Sequence, residues 1–306
     1  MTKTLANRSE TDPWRLNLLL YGAPKSGKTV LAHHLPRTRT LDFDDGMLSV
    51  EWAIRSGLLN RELESVVYET IKPSPDVKKG EPVLDRAAKV VDGWIAEEDI
   101  PADKWDRPYP QLWDTIIIDS ATFLTEATII KGLQENKKFG LSHTWNTYKG
   151  GPTDGLPMKI QDWGVAATLF WKFVEMVTNL GKNVVVIAHE YHATNSEGTL
   201  ISIEPDAIGR LRQKLPGAFD EVWYCVTSGS RTKPKWNIQT TPDPLKRLGS
   251  RLGCLDPLEK EGFKGIMEKV SKFYKVPKDK LWAAYHGTKG VEQAQADSEA
   301  MEGASI

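Results

Sequence analysis

Short apolar runs, each ended by Gly, Asp or His, alternate along the chain with stretches of helical periodicity. Leu16–Tyr21 (LNLLLY) stops at Gly22, and Leu41–Phe43 stops at Asp44-Asp45-Gly46. Thr115–Ile118 is capped by Asp119, and Asn183–Ala188 ends at His189. Apolar runs that do not alternate with polar residues predict strands buried on both faces. Between them, Thr29–Leu35 (closed by Pro36), Leu48–Leu59, Leu84–Glu97, Phe123–Leu133 and Trp163–Leu180 carry the spacing of helices. Glu221–Thr227 and Lys235–Gln239 predict late antiparallel strands around Ser228–Lys233. The alternation predicts an α/β fold with a mostly parallel sheet and helices on both faces.

Other stretches break the pattern. Residues 1–13 form a polar lead-in ending at Pro13, and 72–82 read as a loop rich in Pro, Lys and Asp. Residues 136–162 hold Gly140, Gly150, Gly151, Pro152, Gly155 and Pro157, which forbid a continuous helix. A loop of that length is functional or disordered. A second polar loop is expected from about 190 to 217. The region 255–285 reads as helical and charged, with a polar tail from Gly287. The expected organisation is a lead-in (1–13), a core (14–254), a small helical segment (255–286) and a tail (287–306). No internal repeat is present.

Composition narrows the partners. Among 306 residues, 40 Lys+Arg face 41 Asp+Glu, a net charge of -1. A nucleic-acid surface would therefore have to be local. Two cysteines, Cys225 and Cys254, give neither a disulfide framework nor a zinc spacing. The longest apolar runs fall far short of a bilayer span, and the first residues lack a signal-like apolar stretch. The expectation is a cytoplasmic protein with no membrane partner. The 11 tryptophans suggest no function by themselves.

The chemistry concentrates at one motif. Gly22-Ala23-Pro24-Lys25-Ser26-Gly27-Lys28-Thr29 fits G-x-x-x-x-G-K-[ST], between a predicted strand and a predicted helix. Such a loop turns its backbone N–H groups onto phosphate oxygens, with the helix N-terminus adding positive potential. Lys28 would reach the β- and γ-phosphates of ATP, and the Thr29 hydroxyl would ligate Mg²⁺. Asp119, ending the isoleucine run, suits the second acidic position of such sites, although it could also cap the next helix. Asp42, Asp44, Asp45 and Glu51 cluster after the second strand as candidates to activate water, and each could equally be a solvated turn residue.

These motifs together resemble the RecA/RadA-like ATPases, and more closely the phage P-loop proteins of the Sak single-strand-annealing group. The likeness covers about residues 15–255. It rests on the phosphate loop, Leu41-Asp42-Phe43-Asp44-Asp45-Gly46, Asp119-Ser120, Gln161-Asp162-Trp163-Gly164, His189-Glu190 and Phe219-Asp220-Glu221-Val222. The resemblance implies a RecA-like fold and ATP hydrolysis with Mg²⁺. It makes Asp44 the water-activating carboxylate, where members commonly carry Glu, and His189 a sensor of the γ-phosphate. Gly249-Ser250-Arg251-Leu252-Gly253 resembles the RadA-type Lys-Asn-Arg-Phe-Gly motif. Here Gly249 replaces the lysine, leaving Arg251 to complete a neighbouring subunit's site in a homo-oligomer.

In RecA-like proteins the segments after the Mg²⁺ strand and after the sensor strand form the DNA-binding loops. Here these correspond to about 136–162 and 190–217. The first holds Lys137, Lys138, Lys149 and Lys159 with Trp145 and Tyr148, the second Arg210, Arg212 and Lys214. Cations beside aromatics suit single-stranded DNA; the alternative is that both are solvated loops. The expected function is ATP-dependent binding and annealing of single-stranded DNA in a phage, with a phage single-strand-binding protein as a further partner. The rivals are a helicase or helicase loader and a non-enzymatic nucleotide switch.

Overall fold

The computed structural model describes residues 15–72, 81–135, 160–207, 209, 211–230, 233–278 and 280–282. In chain order the elements are β1 (Asn17–Gly22), α1 (Lys28–Ala32), β2 (Thr38–Asp42), α2 (Leu48–Arg55), β3 (Val67–Thr70), α3 (Val83–Glu97), β4 (Thr115–Asp119), α4 (Ala121–Glu135) and α5 (Ile160–Thr178). They continue with β5 (Asn183–Thr194), β6 (Leu200–Pro205), α6 (Leu211–Lys214), β7 (Glu221–Ser230), β8 (Lys233–Gln239), β9 (Gly249–Ser250), β10 (Leu258–Glu259) and α7 (Gly262–Tyr274).

The sheet runs β10-β8-β7-β1-β5-β4-β2-β3, with β6 paired to β5 and β9 to β7. From β7 to β3 every neighbouring pair is parallel. The later strands pair antiparallel. Apolar residues go to both faces, as the unbroken runs predict. Leu19, Tyr21, Ile116, Ile118, Val184 and Val186 pack under α3, α4 and α5. Leu18, Leu20, Ile117, Val185, Ile187 and Trp223 pack under α1 and α7. This is the RecA-like P-loop NTPase arrangement, in which β5 separates β1 from β4.

Several boundaries differ from expectation for local reasons. Beyond Ala32 the chain keeps winding to Leu35, but the His33 N–H is shared between the Thr29 and Val30 carbonyls, and His34 and Leu35 bond i→i+3 to Leu31 and Ala32, so the predicted last turn tightens instead of continuing as α. The second helix ends at Arg55 rather than Leu59. There the Leu58 N–H donates to the Ala53 carbonyl and the Gly57 N–H to that of Ile54, the pairing of a Schellman stop. Strand β3, outside every predicted element, is a four-residue edge strand with Tyr68 exposed, too short to show a period.

The polar loop expected from 190 is instead a hairpin. Strand β5 continues to Thr194 and returns as β6, around a turn in which Asn195 Oδ1 accepts from the N–H groups of Glu197 and Thr199. Among the described residues, the helical reading of 255–285 holds only for α7. Ahead of it, Pro257 and the buried Glu259 carboxylate, which accepts from the Asp256 N–H and from Lys269, set a short strand. The lead-in, the segment 136–159 and the tail lie outside the described residues.

At the other end of the sheet from the loop after β1, the start of β2 carries a buried cation. Arg39 is 1% exposed, ion-paired to Glu97, and donates to the Gln111 carbonyl at 3.0 Å. Trp94, Trp113 and Tyr109 surround it, with ring centroids 5.6–5.8 Å from the guanidinium carbon. Removing one partner of a buried pair leaves an uncompensated charge, at a cost of about 3–5 kcal/mol. Glu97→Ala should therefore lower unfolding stability by roughly that amount, while Arg39→Met combined with Glu97→Leu should cost less than Glu97→Ala alone. Urea titration of the three chains checks the order.

Candidate functional site

The C-terminal ends of the parallel strands meet at one edge, and their register sets the site. Gly22 on β1 pairs with His189 on β5 and with Cys225 on β7. Asp119 on β4 pairs with Ile187 on β5 and with Asp42 on β2. Between β1 and α1 the loop turns tightly at two glycines with positive φ, Gly22 at 153° and Gly27 at 86°. A side chain would collide at either one. A Cβ on Gly22 would lie 2.8 Å from the Cys225 carbonyl oxygen, and one on Gly27 within 2.6–2.7 Å of the Trp236 indole.

Lys28 is buried and folded back onto its own loop, its Nζ donating to the carbonyls of Gly22 (3.0 Å) and Ala23 (2.7 Å). Burial pushes its ammonium below the ordinary lysine range, while Cys225, Asp119, Glu190 and Asp44 oppose the shift. Cys225 is also buried, which lifts its thiol to about 12. The next residue, Thr29, donates from Oγ1 to Asp119 Oδ2 at 2.6 Å. Burial raises Asp119 from 3.8 to about 6; the Thr29 bond and Lys28 oppose the shift, and Asp44 and Asp42 add to it.

The four carboxylates after β2 separate into distinct roles. Asp42 is buried, and its Oδ1 accepts the N–H groups of Asp44 and Gly46, each at 3.1 Å, so it shapes the turn. Asp45 pairs with Lys72 at 2.5 Å, and Glu51 with Arg55 at 2.7 Å, both exposed pairs. Asp44 alone of the four faces the sensor position, with Oδ2 3.4 Å from His189 Nε2. The turn then brings Gly46 over the Thr29–Asp119 pair, 3.6 Å from Asp119 Oδ2 to an ideal Cβ. Ser26 Oγ and His189 Nδ1 are buried without a hydrogen-bond partner among the described residues. Such orphans beside a phosphate loop fit a site whose partner is a bound ligand.

The donor set fits a hard cation on oxygen ligands, namely the Thr29 hydroxyl and the Asp119 carboxylate. Among the described residues no group of three or more His, Cys, Asp or Glu side chains converges on a metal position. A cation here would therefore draw its remaining ligands from water and from a nucleotide's phosphates, the usual manner of Mg²⁺.

Other expected residues are placed elsewhere. Arg251 lies at the opposite end of the sheet. Its N–H donates to Glu221, which pairs with Leu18 at the start of β1, and its exposed side chain is ion-paired to Asp220. Four residues of strand separate that level from Gly22, roughly 13 Å at 3.3 Å per residue. Arg212 stacks over the Tyr191 ring at 3.5 Å, and Lys214 is exposed. Lys137, Lys138, Trp145, Tyr148, Lys149, Lys159 and Arg210 lie outside the described residues.

Sequence reasoning missed three contributors. One is the turn-shaping role of Asp42, which an Asx-turn reading of Asp42-Phe43-Asp44-Asp45-Gly46 could have found. Another is Trp236, whose alternation along β8 marked only a strand. The third is His33, whose Nδ1–H donates to the Thr29 carbonyl at 2.8 Å while Nε2 accepts from Thr40 at 3.1 Å. Burial holds that imidazole near 4, hence neutral.

A strand, a glycine-turned loop and a helix, with a carboxylate two strands away bound to the loop threonine, define a P-loop nucleotide-binding site of the ATPase class. The model of the AAA domain family matches residues 15–251, and the chain belongs to that family. A search of curated proteins found no match. Among solved structures, the flagellar accessory protein FlaH from Methanocaldococcus jannaschii is similar over 86% of this chain and 95% of its own, at 12% identity and a TM-score of 0.34. Strand order and the family match together define the fold. Among the described residues, no helix is long and apolar enough to cross a membrane.

The raised Asp119 carboxyl makes stability depend on pH. Between about 4 and 6 the folded chain holds a proton there that the unfolded chain releases, so this contribution to stability falls as pH rises through that window. Asp119→Asn should remove the fall. Relative to pH 4, the ligand-free variant should gain on the order of 2–3 kcal/mol over the wild type by pH 7.5. Unfolding titrations at the two pH values check it, and parallel pH profiles would show an ordinary carboxylate at 119.

Proposed function

We propose that this chain is an oligomeric, Mg²⁺-dependent ATPase that binds single-stranded DNA and promotes annealing in a phage. The hydrolytic half is carried by one observation: the phosphate-loop threonine is hydrogen-bonded to Asp119, with Lys28 buried beside them. On binding, the Lys28 ammonium leaves the carbonyls of Gly22 and Ala23 for the β- and γ-phosphates, and the loop N–H groups take the remaining oxygens. Thr29 and Asp119 would hold Mg²⁺, which would offset the charge that builds on the phosphate oxygens during transfer. Asp44 takes the proton of the attacking water at Oδ1. His189, 3.4 Å from Asp44 Oδ2, holds that carboxylate in place.

The DNA half is supported by sequence. The segment 136–159, between α4 and α5, carries Lys137, Lys138, Lys149 and Lys159 with Trp145 and Tyr148. The β5–β6 hairpin contains no Lys or Arg from Glu190 to Pro205, which leaves Arg210, Arg212 and Lys214 as the cations of the second segment. Oligomerisation is supported by Arg251, which is 74% exposed at the sheet end remote from its own loop, where only an exposed pair with Asp220 stands between it and a neighbour's site. The phage setting and a phage single-strand-binding protein as partner come from the resemblance to the Sak group.

The ATPase rate measured against single-stranded DNA concentration, with particle size determined in the same samples, tests the whole reading. Stimulation with assembly supports it. Strand displacement would favour a helicase, and no turnover in any condition a nucleotide switch. Lys28→Ala should abolish nucleotide binding while the fold survives, although it also removes the two hydrogen bonds to the loop. Unchanged turnover there would falsify the P-loop assignment.

Arg251→Ala should bind nucleotide almost normally but hydrolyse it ~10³-fold more slowly, the usual worth of a cation supplied in trans. Mixed with Lys28→Ala chains it should recover part of its activity, because its intact loop then meets a neighbour's intact Arg251. Absence of rescue, with a monomeric protein on DNA, would assign Arg251 to the surface.

A further inference from the structure

We propose that Trp52, backed by Trp236, is the base-stacking surface of the nucleotide site, and that it selects purines without distinguishing adenine from guanine. The proposal rests on the phosphate-site reading and adds to it the ligand chemistry beyond the phosphates.

The Trp236 indole lies against the backbone of Gly27, where an added Cβ would meet three ring atoms within 2.6–2.7 Å. It also packs on the apolar cluster of Val30, Met47, Val50, Ala53 and Leu59, which joins the first turn of α1 to α2. One ring face of Trp236 is thus covered by the loop. Its neighbour is Trp52, at 6.4 Å between centroids and 73° between planes. Trp52 is 48% exposed, and Leu48, one turn earlier on the same helix face, is 76% exposed.

The position suits a base. In the sheet the carboxylate-bearing strands β2 and β4 lie on one side of β1 and β8, which carries Trp236, on the other, so a nucleotide with its terminal phosphate at the carboxylates would direct its base to the Trp236 side. Stacking on an aromatic face tolerates any base but favours the larger ring system. Distinguishing adenine from guanine needs fixed donors and acceptors. The polar side chains nearest Trp52 along α2 are all engaged locally: Glu51 and Arg55 are bonded to each other at 2.7 Å, Ser49 donates to the Gly46 carbonyl, and Ser56, at the end of the helix, donates to that of Ala53.

Calorimetric binding of ATP, GTP, UTP and inorganic tripolyphosphate to the wild type, Trp52→Ala and Trp52→Phe tests this. The wild type should bind ATP and GTP within about threefold of each other, and UTP more weakly. Trp52→Ala should lose about five- to 150-fold for ATP and GTP and nothing for tripolyphosphate, and Trp52→Phe should keep most of the affinity. Quenching of tryptophan emission by ATP should be smaller in Trp52→Phe than in the wild type, a readout that needs no Ala variant.

Unchanged ATP affinity in Trp52→Ala, equal losses for ATP and tripolyphosphate, or equal quenching in both chains would overturn the stacking role. A tenfold preference between ATP and GTP would overturn the claimed indifference. If tripolyphosphate and ATP both fail to bind the wild type, the phosphate-site reading falls and takes the stacking surface with it.

Discussion

The parallel register of β1, β5, β4 and β2 is the constraint on which the rest of the site depends. Parallel pairing carries every strand's C-terminal end to the same edge. The Gly22–His189 and Asp119–Asp42 pairings then bring residues from three other stretches of chain within reach of the phosphate loop. Because side chains alternate faces, a slip of one residue on β4 would turn Asp119 to the other face and bury an isoleucine at the loop. The apolar runs on both faces oppose that slip: Ile116 and Ile118 pack in one core and Ile117 in the other.

Within that frame the electrostatics is poised rather than settled. Lys28 and Asp119 are both buried, and each is shifted by burial towards its neutral form. Their partners are local stand-ins: two loop carbonyls for the ammonium and one hydroxyl for the carboxylate. A ligand that brings negative phosphates together with a divalent cation answers both groups at once.

The remaining carboxylates show how packing assigns roles to similar residues. Asp42 uses its charge on backbone N–H groups, Asp45 and Glu51 on exposed cations, and Asp44 faces His189. Near the opposite end of the sheet, Arg39 is held in an aromatic enclosure by a single carboxylate, and Arg251 is exposed beside Asp220. One end of the sheet is built to receive a ligand, while the other carries a cation outward.

The sequence by itself determined the local elements whose signals are local. The phosphate loop was legible because its glycines and lysine are contiguous. The buried strands were legible because unbroken apolar runs admit few other structures, and β7 and β8 because they flank a turn-rich segment. Tertiary structure decided the rest. Which of Asp42, Asp44, Asp45 and Glu51 meets His189, 145 residues beyond Asp44, depended on strand pairing. Strand β3 exists because β2 offers it an edge, and its four residues have too little pattern to announce it. Trp236 lies more than 200 residues beyond Gly27, and only the β7–β8 hairpin standing next to β1 lays its ring on the loop. Contacts of that kind arise from strand order, which spacing along a single chain does not encode.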